Sequence, residues 1–151
     1  MKIKSLLIAN RGEIAVRIVN TAKKMGIKTY GIKTAREPNA LYLQLVNNIC
    51  DFSDNVGEIP EFLDIEKLIN IAKTNKVDAI RPGYGFLAES PYFANRCEEE
   101  GISFIGPSAS AIYKMGHKTI AKQLATKYKV PLLKGSIANV CEKKKAKEVS
   151  K

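Results

Sequence analysis

Apolar residues along the chain alternate between two rhythms. Short, nearly continuous runs read as strands buried on both faces, and longer segments with apolar positions three and four residues apart read as helices. Lys4 to Ala9 is the first such strand, and Asn10-Arg11-Gly12-Glu13 turns the chain after it. Ala15, Ile18, Ala22 and Met25 then recur at helical spacing, with Gly26 placed to end that helix. Ile27 to Lys33 reads as a second strand, Leu41 to Val46 as a short helix, and Asn48 to Phe52 as a third strand. Ile65, Leu68, Ile69 and Ala72 predict a helix beginning near Pro60, followed by a strand over Val77 to Ile80. Pro91 to Glu100 predicts a helix ended by Gly101, and Ile102 to Ile105 a strand closed by Gly106-Pro107-Ser108, with Ser108 or Ser110 available as a helix cap. Two helices are expected near Ala109 to Met115 and Lys118 to Tyr128, and a last strand over Val130 to Leu133. The polar, lysine-rich stretch Asn139 to Lys151 is helix-prone. Strands alternating with helices predict an α/β domain, Rossmann-like and doubly wound, with a mainly parallel sheet flanked by helices.

Composition narrows the function classes. A length of 151 residues is that of one ordinary domain, able to bury a core. No apolar run approaches the roughly 20 residues that span a bilayer. The stretch Leu6 to Asn10 is too short for the core of a signal peptide, so a cytoplasmic location is the expectation. Cys50, Cys97 and Cys141 are scattered, none forms a CxxC pair, and His117 is the sole histidine. That argues against a disulfide framework or a zinc site and for ordinary packing or surface thiols. The formal charge of +10 suggests nucleic acid. Much of the excess lies in a late series of lysines from Lys114 to Lys145, without the aromatic or zinc-finger patterns of nucleic-acid readers, so a solvated lysine surface is the simpler reading.

Three segments carry candidate chemistry. Ala9 to Ala15 lies at a strand-to-helix junction, where doubly wound sheets gather ligands and helix N-termini favour anions. Only Gly12 is present where a dinucleotide fingerprint needs three glycines, so a dinucleotide oxidoreductase is excluded. Glu13 taken alone reads as a carboxylate favoured by the helix dipole. Arg81-Pro82-Gly83-Tyr84-Gly85-Phe86-Leu87-Ala88-Glu89 sets one ring between two glycines directly after a strand. Such a loop can present a flat aromatic face and backbone N–H groups to a heterocycle, with Glu89 orienting nearby donors. It can equally be an edge turn that tucks Phe86 and Leu87 into the core. Met115-Gly116-His117-Lys118 places a lysine at a helix start, where its ammonium either reaches a phosphate or stays in water.

Taken together and in this order, these segments resemble the biotin carboxylase family. Its pattern runs approximately IANRGEIAxRI, HPGYGFLSEN, FIGP, MGDK and AGVPxxPG. The corresponding pieces here are Ile8 to Ile18, Arg81 to Ser90, Phe104 to Pro107, Met115 to Lys118 and Tyr128 to Gly135. The resemblance implies an ATP-dependent ligase in which ATP and bicarbonate form carboxyphosphate, whose carbon dioxide carboxylates the ureido nitrogen of biotin. It implies that Lys118 contacts ATP phosphate, that Tyr84 lies near the biotin ring with Gly83, Gly85 and Glu89 shaping that corner, and that Asn10, Arg11, Gly12 and Glu13 are active-site architecture without a catalytic group. It further implies ATP, biotin and Mg2+ as cofactors of the full-length protein, none held tightly by these residues alone. The partners implied are the rest of the biotin carboxylase chain, a biotin carboxyl carrier protein or domain, and a carboxyltransferase that selects the acyl acceptor; neither nucleic acid nor a membrane is among them. Residues 1–117 correspond to the N-terminal domain, and 118–151 to its end and the start of an ATP-grasp portion. The glycine-rich lid, magnesium-binding glutamates and bicarbonate-holding arginine of that portion are not among these residues, so the 151-residue chain alone is expected to be inactive. Arg81 stands in place of the family's histidine and His117 in place of its aspartate. Thr34 to Glu37 and Val46 to Asn48 replace acidic patterns, and Asn20 and Lys24 replace arginine and glutamate at a dimer-contact helix. The alternative consistent with these departures is a non-catalytic module that keeps the fold for nucleotide sensing or partner binding.

Overall fold

The computed structural model describes residues 2–53 and 60–133. Ser5–Ile8 (β1), Lys28–Lys33 (β2), Asn48–Asp51 (β3), Ala79–Arg81 (β4) and Ser103–Phe104 (β5) form one sheet in the order β3-β2-β1-β4-β5. Each neighbouring pair is parallel, with β1 registered on β2 by Leu7↔Tyr30 and on β4 by Leu7↔Ile80. The chain steps outward from β1 to β3, then returns across β1 to start the other half at β4. This is the doubly wound arrangement expected from the alternating pattern, and it puts a topological switch point between β1 and β4.

The central strands are apolar on consecutive residues because both sheet faces are covered. Leu6 and Ile8 point to one side, where Ala15, Val19 and Ala22 of the helix Gly12–Lys24 (α1) and Tyr42 and Leu43 of Leu41–Leu45 (α2) pack on them. Leu7 and Ala9 point to the other, against Leu68, Ile69 and Ala72 of Ile65–Thr74 (α3) and Phe93 and Cys97 of Pro91–Glu99 (α4). Each such fully buried large side chain contributes about 1.5–3 kcal/mol. The start of β1 is tied to β4 by Asp78, whose Oδ2 accepts hydrogen bonds from the Lys4 and Ser5 backbone N–H groups and the Ser5 hydroxyl at 2.8, 2.9 and 2.9 Å.

One boundary and one element differ from the sequence pattern. The helix expected from Pro60 begins at Ile65, because Glu61–Leu63 form a single 3-10 turn. Asp64 then restarts the chain as a cap, its carboxylate accepting from the Lys67 N–H at 3.1 Å. At α4 the Ser90 hydroxyl accepts from the Phe93 N–H at 3.2 Å, with Pro91 in the first turn, so that boundary falls where it was expected. Val130 to Leu133 is not a strand: among the described residues it has no pairing neighbour, and its residues are exposed. A four-residue apolar run makes a strand only if a sheet edge is there to satisfy its backbone, and here the Val130 N–H instead bonds the Ala125 carbonyl at 2.9 Å. The helix-prone stretch Asn139 to Lys151 and Cys141 lie outside the described residues.

By compactness the chain divides into Met1–Ala109 and Ser110–Lys151. The first unit holds the sheet and α1 to α4. In the second, the helix Ala109–Gly116 (α5), which starts at the end of the first unit, is followed by Lys118–Lys127 (α6). No helix among the described residues is long and apolar enough to cross a membrane. Cys50 and Cys97 are both buried free thiols, in keeping with a packing role.

Candidate functional site

The switch point sets the carboxyl ends of β1 and β4 side by side, with the Ala9 N–H donating to the Arg81 carbonyl at 2.9 Å. The segments Asn10–Glu13 and Pro82–Glu89 leave the sheet there together, although about seventy residues of chain separate them. Asn10 joins them. Its side chain is buried, and its Nδ2 donates to the carbonyls of Pro82 at 2.6 Å and Tyr84 at 2.9 Å. Its Oδ1 accepts from the Arg11 N–H at 2.8 Å, so both amide hydrogens and the oxygen of this buried group are satisfied.

Two glycines shape the loop, for different reasons. Gly83 has a φ of +72°, and a Cβ built there would meet Asn10 Nδ2 and Ile14 Cγ2, each at 2.7 Å. Its lack of a side chain lets the loop close on Asn10 and on the first turn of α1. Gly85 has a φ of +69° but opens onto free space, so it supplies backbone conformation alone. Tyr84, held between them, is 62% exposed. Its hydroxyl donates to Glu13 Oε1 at 3.0 Å. Glu13 is the acidic residue in the first turn of α1, where the helix dipole favours its charge. The hydrogen bond to Glu13 and, secondarily, partial desolvation and the Glu13 charge push the Tyr84 phenol above its ordinary pKa, against a smaller opposing effect of Arg17.

Beyond Tyr84 the loop turns twice, with Ala88 N–H donating to the Gly85 carbonyl and Ser90 N–H to that of Leu87. Leu87 is buried in the core, whereas Phe86 stays partly exposed against Phe62 with ring centres 5.3 Å apart. The loop therefore both packs and presents. Glu89 is exposed at its end. Arg81 reaches the neighbouring strand end, its Nη1 donating to the Ile105 carbonyl at 2.6 Å. Arg11 turns away from the loop to pair with Glu37 after β2, so the side-chain links between the two motifs come from Asn10 and Glu13, beside the tight approach of Gly83. An open groove of about 560 Å³ runs along α1 past Ile14, Arg17 and Ile18 to Arg81 and Tyr84.

Sequence reading missed two participants, Ile14 and the Ile105 carbonyl. Ile14 carried a usable signal: the apolar face of α1 spans Ile14, Ala15, Ile18, Val19, Ala22 and Met25, wider than contact with one sheet face needs. A backbone carbonyl carries none. Lys118 lies in the second unit, exposed at the first position of α6. The first turn of that helix holds no acidic residue, so ammonium and helix dipole both favour an anion there. Among the described residues no group of three His, Cys, Asp or Glu side chains is arranged to hold a metal ion.

Comparison with known proteins gives a consistent picture. The family model described as "Biotin carboxylase, N-terminal domain" matches residues 2–112. Biotin carboxylase 1 of Bacillus subtilis is 42% identical over 134 residues, covering 89% of this chain and 30% of the relative. The urea amidolyase of Lachancea kluyveri is 43% identical over 148 residues, covering 97% of this chain and 8% of that protein. The biotin carboxylase domain dimer of the Hydrogenobacter thermophilus 2-oxoglutarate carboxylase, solved with MgADP, ADP and bicarbonate, superposes with a TM-score of 0.91 at 36% identity, over 98% of this chain and 32% of that one. The chain thus spans about a third or less of the length of these relatives.

Proposed function

We propose that this chain, which belongs to the biotin carboxylase N-terminal domain family, forms one wall of the active site of an ATP-dependent ligase that carboxylates biotin with bicarbonate. The observation that carries the reading is the loop at the switch point, where Tyr84 stands exposed between two left-handed glycines and is held from below by Asn10 and from the side by Glu13. A ring so placed offers a flat, preorganised face to a bicyclic ureido ring, and Gly83 and Gly85 keep the neighbouring surface low. Glu89 closes the corner.

Lys118 serves the other substrate. An ammonium at the start of α6 adds a point charge to the helix dipole, an arrangement suited to ATP phosphate. The described residues do not fit a magnesium site, so the Mg2+ that accompanies ATP is not held by them. In this reading residues 1–117 form the N-terminal domain and 118–151 the transition to an ATP-grasp portion. The wider assembly brings a biotin carboxyl carrier protein or domain and a carboxyltransferase, in the cytoplasm. Relatives as different as a urea amidolyase and a 2-oxoglutarate carboxylase carry this fold, which supports acceptor choice residing outside it.

The test is bicarbonate-dependent ATP cleavage with free biotin, measured on the full-length protein that carries these residues. Lys118→Ala is expected to lower kcat/KM for ATP by at least about tenfold, the loss of one charge-assisted phosphate contact. Tyr84→Ala is expected to raise the KM for biotin while leaving that for ATP in place. Silent substitutions, or no response to biotin in the unsubstituted protein, would overturn the reading.

A further inference from the structure

We infer that Glu13 is a positioning residue for Tyr84, setting where the phenol ring stands at the mouth of the biotin corner while Asn10 holds the backbone beneath it. The inference rests on the biotin-corner reading of Tyr84. Three observations lead to it. The Tyr84 backbone is closely constrained, because Asn10 Nδ2 bonds its carbonyl at 2.9 Å and Gly83 closes on Asn10 and Ile14. The ring is not: at 62% exposure it lacks the packing that would select one rotamer. What ties the ring's far end is the 3.0 Å bond from its hydroxyl to Glu13 Oε1.

An exposed aromatic that must be ordered before it can cover a ligand costs side-chain entropy at binding. A carboxylate accepting from the hydroxyl removes part of that cost in advance. Glu13 suits this role because it stands on the first turn of α1, a rigid element packed on β1, and because its charge is favoured there. Its effect passes through Tyr84, so the change it makes should fall on biotin affinity more than on turnover.

The experiment is steady-state kinetics on the full-length protein with free biotin, ATP and bicarbonate, using Glu13→Ala, Glu13→Gln, Tyr84→Phe and the double variant E13A/Y84F. Glu13 is exposed, so these substitutions leave the core intact. Glu13→Ala is expected to raise the KM for biotin roughly three- to tenfold, the range of one ordinary net hydrogen bond at an exposed position, with kcat and the KM for ATP moving far less. Glu13→Gln keeps an acceptor oxygen at the same reach and should return the KM to within about twofold of the original. Tyr84→Phe should resemble Glu13→Ala, and the double variant should be no worse than either single one, because both remove the same bond.

A readout independent of turnover is the Tyr84 phenol, followed by carbon-13 NMR of labelled tyrosine in the 151-residue chain. Its titration should begin at lower pH in Glu13→Ala than in the original, with Arg17 unchanged in both. Full additivity in the double variant, failure of Glu13→Gln to rescue, or an unmoved phenol titration overturns the inference. If Tyr84→Ala raises the biotin KM and Glu13→Ala does not, this inference alone falls. If the unsubstituted protein shows no biotin response, the biotin-corner reading falls and takes it along.

Discussion

Replacing Gly83 by alanine should destabilise the first unit far more than the same change at Gly85, two residues away. Both glycines have positive φ, +72° and +69°, so alanine at either position carries the left-handed backbone penalty of about 1–2 kcal/mol. At Gly85 nothing lies within 4 Å of the added Cβ, and the cost ends there. At Gly83 the methyl group would stand 2.7 Å from both Asn10 Nδ2 and Ile14 Cγ2. Asn10 cannot swing aside without giving up its bonds to the Pro82 and Tyr84 carbonyls, and Ile14 is a buried residue of the first turn of α1. Overpacking against such neighbours costs about 1–3 kcal/mol more. The expected totals are therefore roughly 2–5 kcal/mol at Gly83 and 1–2 at Gly85. Urea unfolding followed by circular dichroism measures both, and with a slope of about 2 kcal/mol per molar the Gly83→Ala midpoint should fall by roughly 1–2.5 M. Equal midpoints for the two variants, with unchanged slopes, would refute the argument. They would mean that Asn10 and Ile14 yield freely and that the junction is looser than its geometry.

Two further outcomes follow from local chemistry. The three hydrogen bonds that Asp78 accepts hold its carboxyl below the usual carboxylate range, with the Lys4 N–H the largest cause. A group depressed in the folded state stabilises above its unfolded pKa of about 3.9 and loses that contribution as pH falls through the folded value. Asp78→Asn should therefore lower the urea midpoint near neutral pH and approach the original as pH drops below about 4; a constant gap across that range would count against the assignment. Burial pushes the Cys97 thiol up to about 12, with no exposed surface for a reagent. Its alkylation at neutral pH should follow the unfolding rate, and modification at the pace of a free thiol in the folded chain would contradict the packing described here.

Much of the fold was legible from local pattern. Ser5 to Ala9 reads as a strand covered on both sides because consecutive apolar residues suit no half-exposed element, and Leu6, Leu7 and Ile8 are indeed divided between two cores. Boundaries were legible where a cap is unambiguous, as at Ser90-Pro91. They were not at Pro60, where the apolar spacing of Phe62 and Ile65 runs through a 3-10 turn and only the carboxylate of Asp64 shows where the helix begins. Val130 to Leu133 looked like a strand because a local window cannot know whether a sheet edge is available.

The sequence by itself determined that two motifs exist, ANRGE and RPGYGFLAE, and that each follows a strand in an α/β chain; their spelling also carried the family resemblance. It did not determine that they touch. That was decided by the return crossing from β3 to β4, which puts residues 71 to 74 positions apart within one hydrogen bond of each other. Hydrophobic periodicity is a local property, whereas Asn10 beneath the loop and Glu13 at the phenol depend on which strand lies next to β1. That choice is made by the burial of both sheet faces together, and only the folded chain expresses it.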